Sequence, residues 1–177
     1  AVVEQSLNLY EAAKINYKFL ISKNNNYKAI INLYGLYLKE ANYKDALIMI
    51  NRLIDNNIDD INIYKDKAFV LYKLKKNQES IDLCKRILKK NNDINFLNIL
   101  GLNLLSMKEF EKSEKILKKG LEIDSKSSFI LNSLGRMYHE KRDSKEAEKY
   151  LIKAYNENKH SYEIINNLAG FYREEGR

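Results

Sequence analysis

The sequence repeats a short pattern with a period of about 34 residues. Four successive copies span Tyr27–Asp60, Ile61–Asp93, Ile94–Ser127 and Ser128–Ser161, and a fifth begins at Tyr162. A repeat of this length is one structural unit that cannot bury its apolar face alone, so neighbouring units must stack against each other. The period therefore predicts a stacked solenoid. Solenoids present extended binding surfaces, so this architecture favours a binding protein over an enzyme.

Each copy consists of two apolar halves separated by a short polar connection. In each half the apolar positions recur at steps of three and four residues, which places them on one face of a helix. Short connections make neighbouring helices antiparallel. The pattern predicts an all-α fold built from antiparallel helix pairs. Equivalent positions of the successive copies are here called columns. They are Leu33-Tyr34, Lys67-Ala68, Leu100-Gly101, Leu134-Gly135 and Leu168-Ala169 in the first halves, and Ala46, Ser80, Ser113 and Ala147 in the second.

These columns resemble the tetratricopeptide repeat (TPR), a helix–turn–helix unit of about 34 residues. The resemblance covers nearly the whole chain and implies a right-handed superhelical solenoid. The chain departs from the family in one respect, because it has no proline, whereas the family usually places one near the end of each copy. We therefore expect Asn and Asp to terminate and cap the helices.

The two ends of the chain match incomplete copies. Residues 1–26 contain Tyr10 and Ala13 at the spacing of a second helix, and residues 162–177 contain only a first helix. In a complete copy a partner helix would cover Leu168 and Tyr172. We therefore interpret residues 1–177 as a single solenoid that is a fragment of a longer array. Its uncovered ends predict possible end-to-end self-association.

The sequence contains no recognisable catalytic or metal-binding constellation. Cys84 falls in a core column, and the two histidines, His139 and His160, lack Cys or Asp partners at ligand spacing. We expect no catalytic residue, no metal and no cofactor. A single cysteine excludes an internal disulfide and favours an intracellular, cytoplasmic location. No apolar run approaches the roughly 20 residues of a membrane-spanning helix, so membrane insertion is not expected.

The positive charge of the chain lies in its middle. The net charge is +7, and residues 61–127 carry 15 Lys and Arg against 9 Asp and Glu, a balance of +6. Such a patch can attract nucleic acid or an acidic partner. However, Glu111, Glu114 and Glu122 alternate with the lysines of one predicted outer helix, Lys112, Lys115, Lys118 and Lys119. A solvated face is the favoured interpretation, and nucleic-acid binding is not expected.

The family resemblance implies that the first helices of the copies line a concave groove. The positions flanking the core columns are then the candidate ligand-binding residues. Asn98, Asn132 and Asn166 recur at one period, and we predict that they form a ladder that hydrogen-bonds the backbone of an extended peptide. Arg136 is predicted to pair with an acidic ligand side chain. The full candidate set is Lys65, Phe69, Tyr72, Asn98, Leu102, Asn132, Arg136, His139 and Asn166.

Three functional hypotheses follow from these observations. The first, which we favour, is a non-catalytic scaffold or adaptor that binds a protein or peptide partner in its groove. The second is a substrate-recruiting segment of a larger glycosyl- or other group-transferase. It is suggested because Asn166-Asn167 before Leu168-Ala169 looks similar to the repeats of the O-linked N-acetylglucosamine transferases. The third is an RNA-associated scaffold that uses the basic middle.

Overall fold

The computed structural model describes residues 2–176, with side chains described from Leu9 onward. Over this range the chain is helical and contains no β-strand. The residues at which the predicted copies begin, from Tyr27 to Tyr162, each start a helix. The described helices are α1 (Val2–Asn24), α2 (Tyr27–Lys39), α3 (Tyr43–Asp55), α4 (Ile61–Lys73), α5 (Asn77–Leu88), α6 (Ile94–Ser106), α7 (Phe110–Ile123), α8 (Ser128–Glu140), α9 (Ser144–Glu157) and α10 (Tyr162–Glu174).

The chain divides into two compact units, Ala1–Lys76 and Asn77–Arg177, here called unit 1 and unit 2. Unit 1 contains α1 to α4 and unit 2 contains α5 to α10. Within each unit, helices that follow one another in the sequence pack together. The predicted all-α fold of successive helix pairs is therefore confirmed. The interpretation of the chain as one continuous piece of a longer array stays a prediction.

Asn and Asp side chains cap several helices at their N-termini. Asp60 and Asp93 accept the backbone N–H of Asn62 and Asn95 at 2.8 and 2.7 Å. Asp143 accepts the backbone N–H of Glu146 at 3.1 Å. Each cap satisfies one of the N–H groups that have no partner in the first helical turn, which stabilises a helix by about 1 kcal/mol.

The turn inside each helix pair has the same geometry. Ala41, Lys75, Lys108 and Arg142 lie just beyond the first helix of a pair and have φ between 54° and 65°. The residue after each of them donates its backbone N–H to the carbonyl five residues earlier, at 2.8 to 2.9 Å. This is the Schellman arrangement, in which the left-handed position is usually occupied by glycine. Here side chains with a Cβ occupy it, so each turn holds an unfavourable backbone conformation.

The cores of the two units use the predicted columns. Unit 1 buries Ile30, Leu33, Ile50, Leu53 and Ile63 together. In unit 2 two glycines of α6 and α8 allow the paired helices to approach closely, because a leucine of the following helix lies directly against each of them. A Cβ at Gly101 would come within 2.5 Å of Leu117, and one at Gly135 within 2.6 Å of Leu151.

Apolar side chains remain exposed on the first and last helices. Leu9, Ile15 and Phe19 of α1 are 67, 66 and 60% exposed, and Tyr162 of α10 is 78% exposed. Leu168 is half-buried and Ala169 is exposed. End-to-end self-association through such surfaces stays a prediction. None of the described helices combines the length and the apolar character needed to cross a bilayer.

Candidate functional site

The first helices of unit 2 are connected by a row of side-chain hydrogen bonds. Ser133 Oγ of α8 donates to Asn98 Oδ1 of α6 at 2.7 Å. Asn167 Nδ2 of α10 donates to Asn132 Oδ1 of α8 at 2.9 Å. In each bond a predicted ladder asparagine pairs with the residue just after the next one. Asn98 pairs with Ser133, which follows Asn132, and Asn132 pairs with Asn167, which follows Asn166. We call Asn98, Ser133, Asn132 and Asn167, together with Asn166, the amide row.

The three predicted ladder asparagines differ in exposure. Asn132 is buried at 3% exposure, Asn98 is half-buried and Asn166 is exposed. The Oδ1 atoms of Asn98 and Asn132 each accept one hydrogen bond between helices, which leaves one lone pair on each oxygen and the Nδ2 donors. Asn166 is the ladder position that is open to solvent on α10.

A cleft with a volume of about 150 Å³ lies between α8 and α10 at one end of the amide row. Arg136 and His139 of α8 line it together with Asn166, Gly170 and Glu174 of α10. The edge of the His139 ring packs on Phe171, with ring centres 5.3 Å apart and planes at 84°. The structure thus brings together three of the predicted site residues, Arg136, His139 and Asn166.

Both basic side chains of this cleft face a carboxylate from α10. His139 Nε2 lies 3.2 Å from Glu174 Oε2, and Arg136 Nη1 lies 4.0 Å from Glu163 Oε1. The side chains of Arg136 and His139 are 30% and 27% exposed, whereas those of Glu163 and Glu174 are 70% and 64% exposed. The basic groups therefore lie deeper than the carboxylates that face them.

The predicted site residues of unit 1 form an aromatic cluster on α4. Phe69 and Tyr72 are half-buried, and Lys73 Nζ lies 5.2 and 5.8 Å from their ring centres. Tyr43 of α3 packs edge-on against Phe69 at 6.2 Å. Lys65 Nζ donates to Asn62 Oδ1 at 3.1 Å on the same helix. In unit 2, Leu102 is buried at 7% exposure.

Three lysines on the second helices of the pairs in unit 2, α7 and α9, lie in ion pairs. Lys112, Lys118 and Lys149 pair with Glu109, Glu114 and Glu146 on or beside their own helices. Glu114 also accepts a hydrogen bond from Tyr138 Oη at 2.9 Å, and Glu148 accepts one from Tyr172 Oη at 3.0 Å. These tyrosines connect each first helix to the second helix of the preceding pair.

The Glu114 contacts make stability depend on pH. The hydrogen bond from Lys118, and to a lesser degree that from Tyr138, lowers the pKa of Glu114 below its ordinary value of 4.5. A lowered folded-state pKa stabilises the protein above the unfolded-state pKa, and this stabilisation is lost as pH falls through the folded-state pKa. We expect the melting temperature of Glu114→Gln to be lower than that of wild type at pH 7, and we expect this difference to shrink as the pH falls below 4.5. Thermal melts of the two proteins from pH 7 to below pH 4.5 measure this difference in melting temperature. A difference of equal size throughout the range would contradict the role of the Glu114 carboxylate.

Two features bear on nucleophilic and metal chemistry: the state of the Cys84 thiol and the placement of possible metal ligands. Burial raises the pKa of the Cys84 thiol to about 12, so at neutral pH the thiol is protonated and a poor nucleophile. Across the residues that the structure describes, no group of three or more His, Cys, Asp and Glu side chains is placed to hold a metal ion.

Sequence reasoning missed the partners of the predicted site residues. Ser133, Asn167 and Glu174 complete the amide row and the cleft, although none of them was a candidate. The pair Asn166-Asn167 was visible in the sequence, but only the packing of α8 on α10 shows that the second residue bonds to Asn132.

Repeated helix pairs, equivalent turns and recurring contacts between pairs define a helical-repeat protein. Solved structures identify the repeat as the TPR fold. A thermophilic TPR protein of Thermus thermophilus, TTC0263, matches with a TM-score of 0.74 and 18% identity, over 97% of this chain and 95% of that chain. The type IV pilus biogenesis factor PilW matches with a TM-score of 0.75 and 14% identity, over 99% of this chain and 82% of that one.

A third similar structure is that of YrrB, which is described as a TPR protein with an unusual peptide-binding site. It matches with a TM-score of 0.63 and 18% identity, over 93% of this chain and 86% of that chain. At these identities the similarity concerns the fold. A scan of the sequence against models of protein families gives no match, and a search of curated proteins gives none either.

Proposed function

We propose that the protein is a non-catalytic interaction module that binds a peptide segment of a partner protein along the first helices of unit 2. The observation that carries this proposal is the amide row. Its internal hydrogen bonds hold Asn98 and Asn132 in fixed orientations. Preorganised side chains lose less conformational entropy when a ligand binds.

The row also determines which ligand groups it recognises. Asn98 is half-buried and Asn166 is exposed, so their amides can offer N–H donors to a ligand, whereas the buried Asn132 holds Asn167 in place. An extended peptide presents backbone carbonyl oxygens at regular spacing, and these are the acceptors that such donors require. The row therefore supports recognition of peptide backbone with little dependence on sequence.

The outer face supports a binding role less well. Three of the lysines on α7 and α9, Lys112, Lys118 and Lys149, are neutralised by neighbouring glutamates. Exposed ion pairs of this type are typical of a solvated surface and reduce the attraction for phosphate groups. Among proteins of this fold, YrrB is described as having a peptide-binding site, which supports the same class of partner.

The test is binding of fluorescent peptides to the purified protein. The probes are pools of octapeptides with blocked termini, and affinity is measured by anisotropy for wild type and Asn166→Ala. Loss of one exposed hydrogen-bonding side chain is expected to weaken binding by about 2- to 10-fold without lowering the melting temperature. Asn156→Ala is the matched control, because Asn156 is an exposed helical asparagine on α9.

Two outcomes would contradict the proposal. The first is that no pool binds. The second is that Asn156→Ala weakens binding as much as Asn166→Ala does, because the amide row would then not be the surface that contacts the peptide.

A further inference from the structure

Gly170 and Gly35 are the two described helical glycines that no neighbouring side chain requires, and Gly170 is the one that lines the cleft. At Gly101, Gly120 and Gly135 a Cβ would come within 2.8 Å of Leu117, Ile130 and Leu151, so packing requires those glycines. At Gly170 a Cβ would meet no described neighbour within 4 Å beyond its own helix backbone. Glycine inside a helix is unfavourable by roughly 0.5–1 kcal/mol relative to alanine. Gly170 instead leaves open space in the cleft between α8 and α10.

The basic groups of this cleft lie at its base, and the carboxylates lie at its rim. Arg136 and His139 are both half-buried, whereas Glu174 projects towards solvent from the last turn of α10. The Glu174 carboxylate reaches Nε2 of His139 from outside. An exposed pair of this kind contributes little to stability, so a competing carboxylate can replace Glu174 at small cost.

We infer that the cleft binds a carboxylate side chain of the bound peptide, and that Glu174 occupies the place of that carboxylate when no peptide is bound. This inference rests on the proposed function. It adds the chemistry of the ligand side chain, a carboxylate, and identifies Glu174 as a competitor for the same place within the protein. The ligand carboxylate takes the place of Glu174 beside His139 Nε2 and also pairs with Arg136, whose guanidinium can donate two parallel hydrogen bonds. Glu163, which lies 4.0 Å from Arg136 Nη1 and is 70% exposed, gives way at the same time.

The size and position of the cleft agree with this assignment. A volume of about 150 Å³ corresponds to about five water molecules at roughly 30 Å³ each, which is room for an Asp or Glu side chain. Asn166 lines the same cleft and also belongs to the amide row. A peptide whose backbone follows the row can therefore place one side chain beside Arg136.

The experiment uses three pools of octapeptides with blocked termini that differ at one fixed position. That position is Asp or Glu in the acidic pool, Asn or Gln in the amide pool, and Lys or Arg in the basic pool. Wild type is expected to prefer the acidic pool. Glu174→Gln removes the internal competitor and should raise affinity for the acidic pool by about 2- to 5-fold while leaving the amide pool unchanged. Arg136→Gln should lower affinity for the acidic pool by about tenfold. Glu157→Gln, at an exposed position on α9, is the matched control and should change neither value.

A second variant separates this site from general effects on stability. Gly170→Ala places a methyl group in the cleft and improves helix propensity, so it should raise the melting temperature and weaken binding of the acidic pool. A variant that is destabilised cannot produce both changes. Unchanged binding of the acidic pool by Gly170→Ala would contradict a ligand side chain that packs beside Gly170.

The remaining outcomes distinguish the inference from the proposed function. Preference for the basic pool, or weaker acidic binding in Glu174→Gln, overturns the inference and leaves peptide binding intact. If no pool binds, the proposed function fails. In that case Glu174→Gln is titrated with acetate while the NMR signals of the His139 ring are monitored. This measurement tests whether the cleft binds a carboxylate independently of peptide binding. Absence of a shift at about 100 mM acetate would overturn the carboxylate site as well.

Discussion

Replacement of Gly135 by leucine is expected to destabilise the protein by about 1–3 kcal/mol. A Cβ at this position would lie 2.6 Å from Leu151 Cγ, 2.8 Å from its Cδ2 and 3.1 Å from its backbone nitrogen. Because Cγ and the backbone nitrogen are not at the flexible end of the leucine side chain, α8 and α9 must move apart. Thermal and denaturant unfolding measure the change.

Two further variants test the physical cause. Gly35→Ala is the matched control, because Gly35 also lies inside a helix but has no described neighbour within 4 Å of an added Cβ, beyond its own helix backbone. It should stabilise the protein by about 0.5–1 kcal/mol. Combining Gly135→Ala with Leu151→Ala should cost less than the sum of the single variants, because the smaller residue at 151 makes room for the new Cβ. Strict additivity, or a Gly135→Leu variant as stable as wild type, would contradict this account of the contact.

Replacement of Ser80 by alanine is expected to cost about 1–3 kcal/mol, because it removes a partner of a buried amide. Asn103 and Ser80 are both fully buried, and Asn103 Nδ2 donates to Ser80 Oγ at 2.9 Å and to Ile99 O at 2.7 Å. Within the described residues, Asn103 Oδ1 has no hydrogen-bond partner. The amide is therefore incompletely satisfied even in the wild-type protein.

The repeat itself supplies the compensating change. One repeat earlier, where α3 packs on α4, Ala46 and Val70 stand at the positions of Ser80 and Asn103, and both are fully buried. Combining Ser80→Ala with Asn103→Val should therefore recover most of the lost stability, since the buried amide is removed together with its partner and the Cys84 thiol is only a weak hydrogen-bonding group. A combined variant that is less stable than Ser80→Ala alone would show that the polar pair stabilises unit 2 in some other way.

The sequence contained enough information to predict the helices and their pairing. Each copy buries one face of each of its helices, so apolar residues recur at the same positions in every copy. The observed helix starts at Ile61, Ile94 and Ser128 therefore agree with the predicted starts of the copies. Contacts across helix pairs were harder to predict. Gly135 and Ala147 are the small residues of their two columns, but the atoms nearest to a Cβ at Gly135 belong to Leu151, one helical turn further along α9.

The same limitation applies to the candidate site. Asn98 accepts a hydrogen bond from Ser133 and not from the neighbouring ladder position, Asn132. Adjacent residues of a helix differ by about 100° around its axis, so the partner depends on how far each pair is rotated and displaced relative to the next. Periodicity predicts the position of a hydrogen-bonding residue on the helix to within about one residue. The packing of neighbouring helices determines which of these side chains makes the hydrogen bond.

The strained turns inside the helix pairs have a practical consequence for the experiments above. A non-glycine residue in the left-handed region costs roughly 1–2 kcal/mol. Ala41, Lys75, Lys108 and Arg142 occupy that region at equivalent turns, outside the amide row and the cleft between α8 and α10. Glycine at these four positions would relieve the strain and provide a more stable parent protein. Damaging substitutions of the binding residues could then be studied in a chain that remains folded.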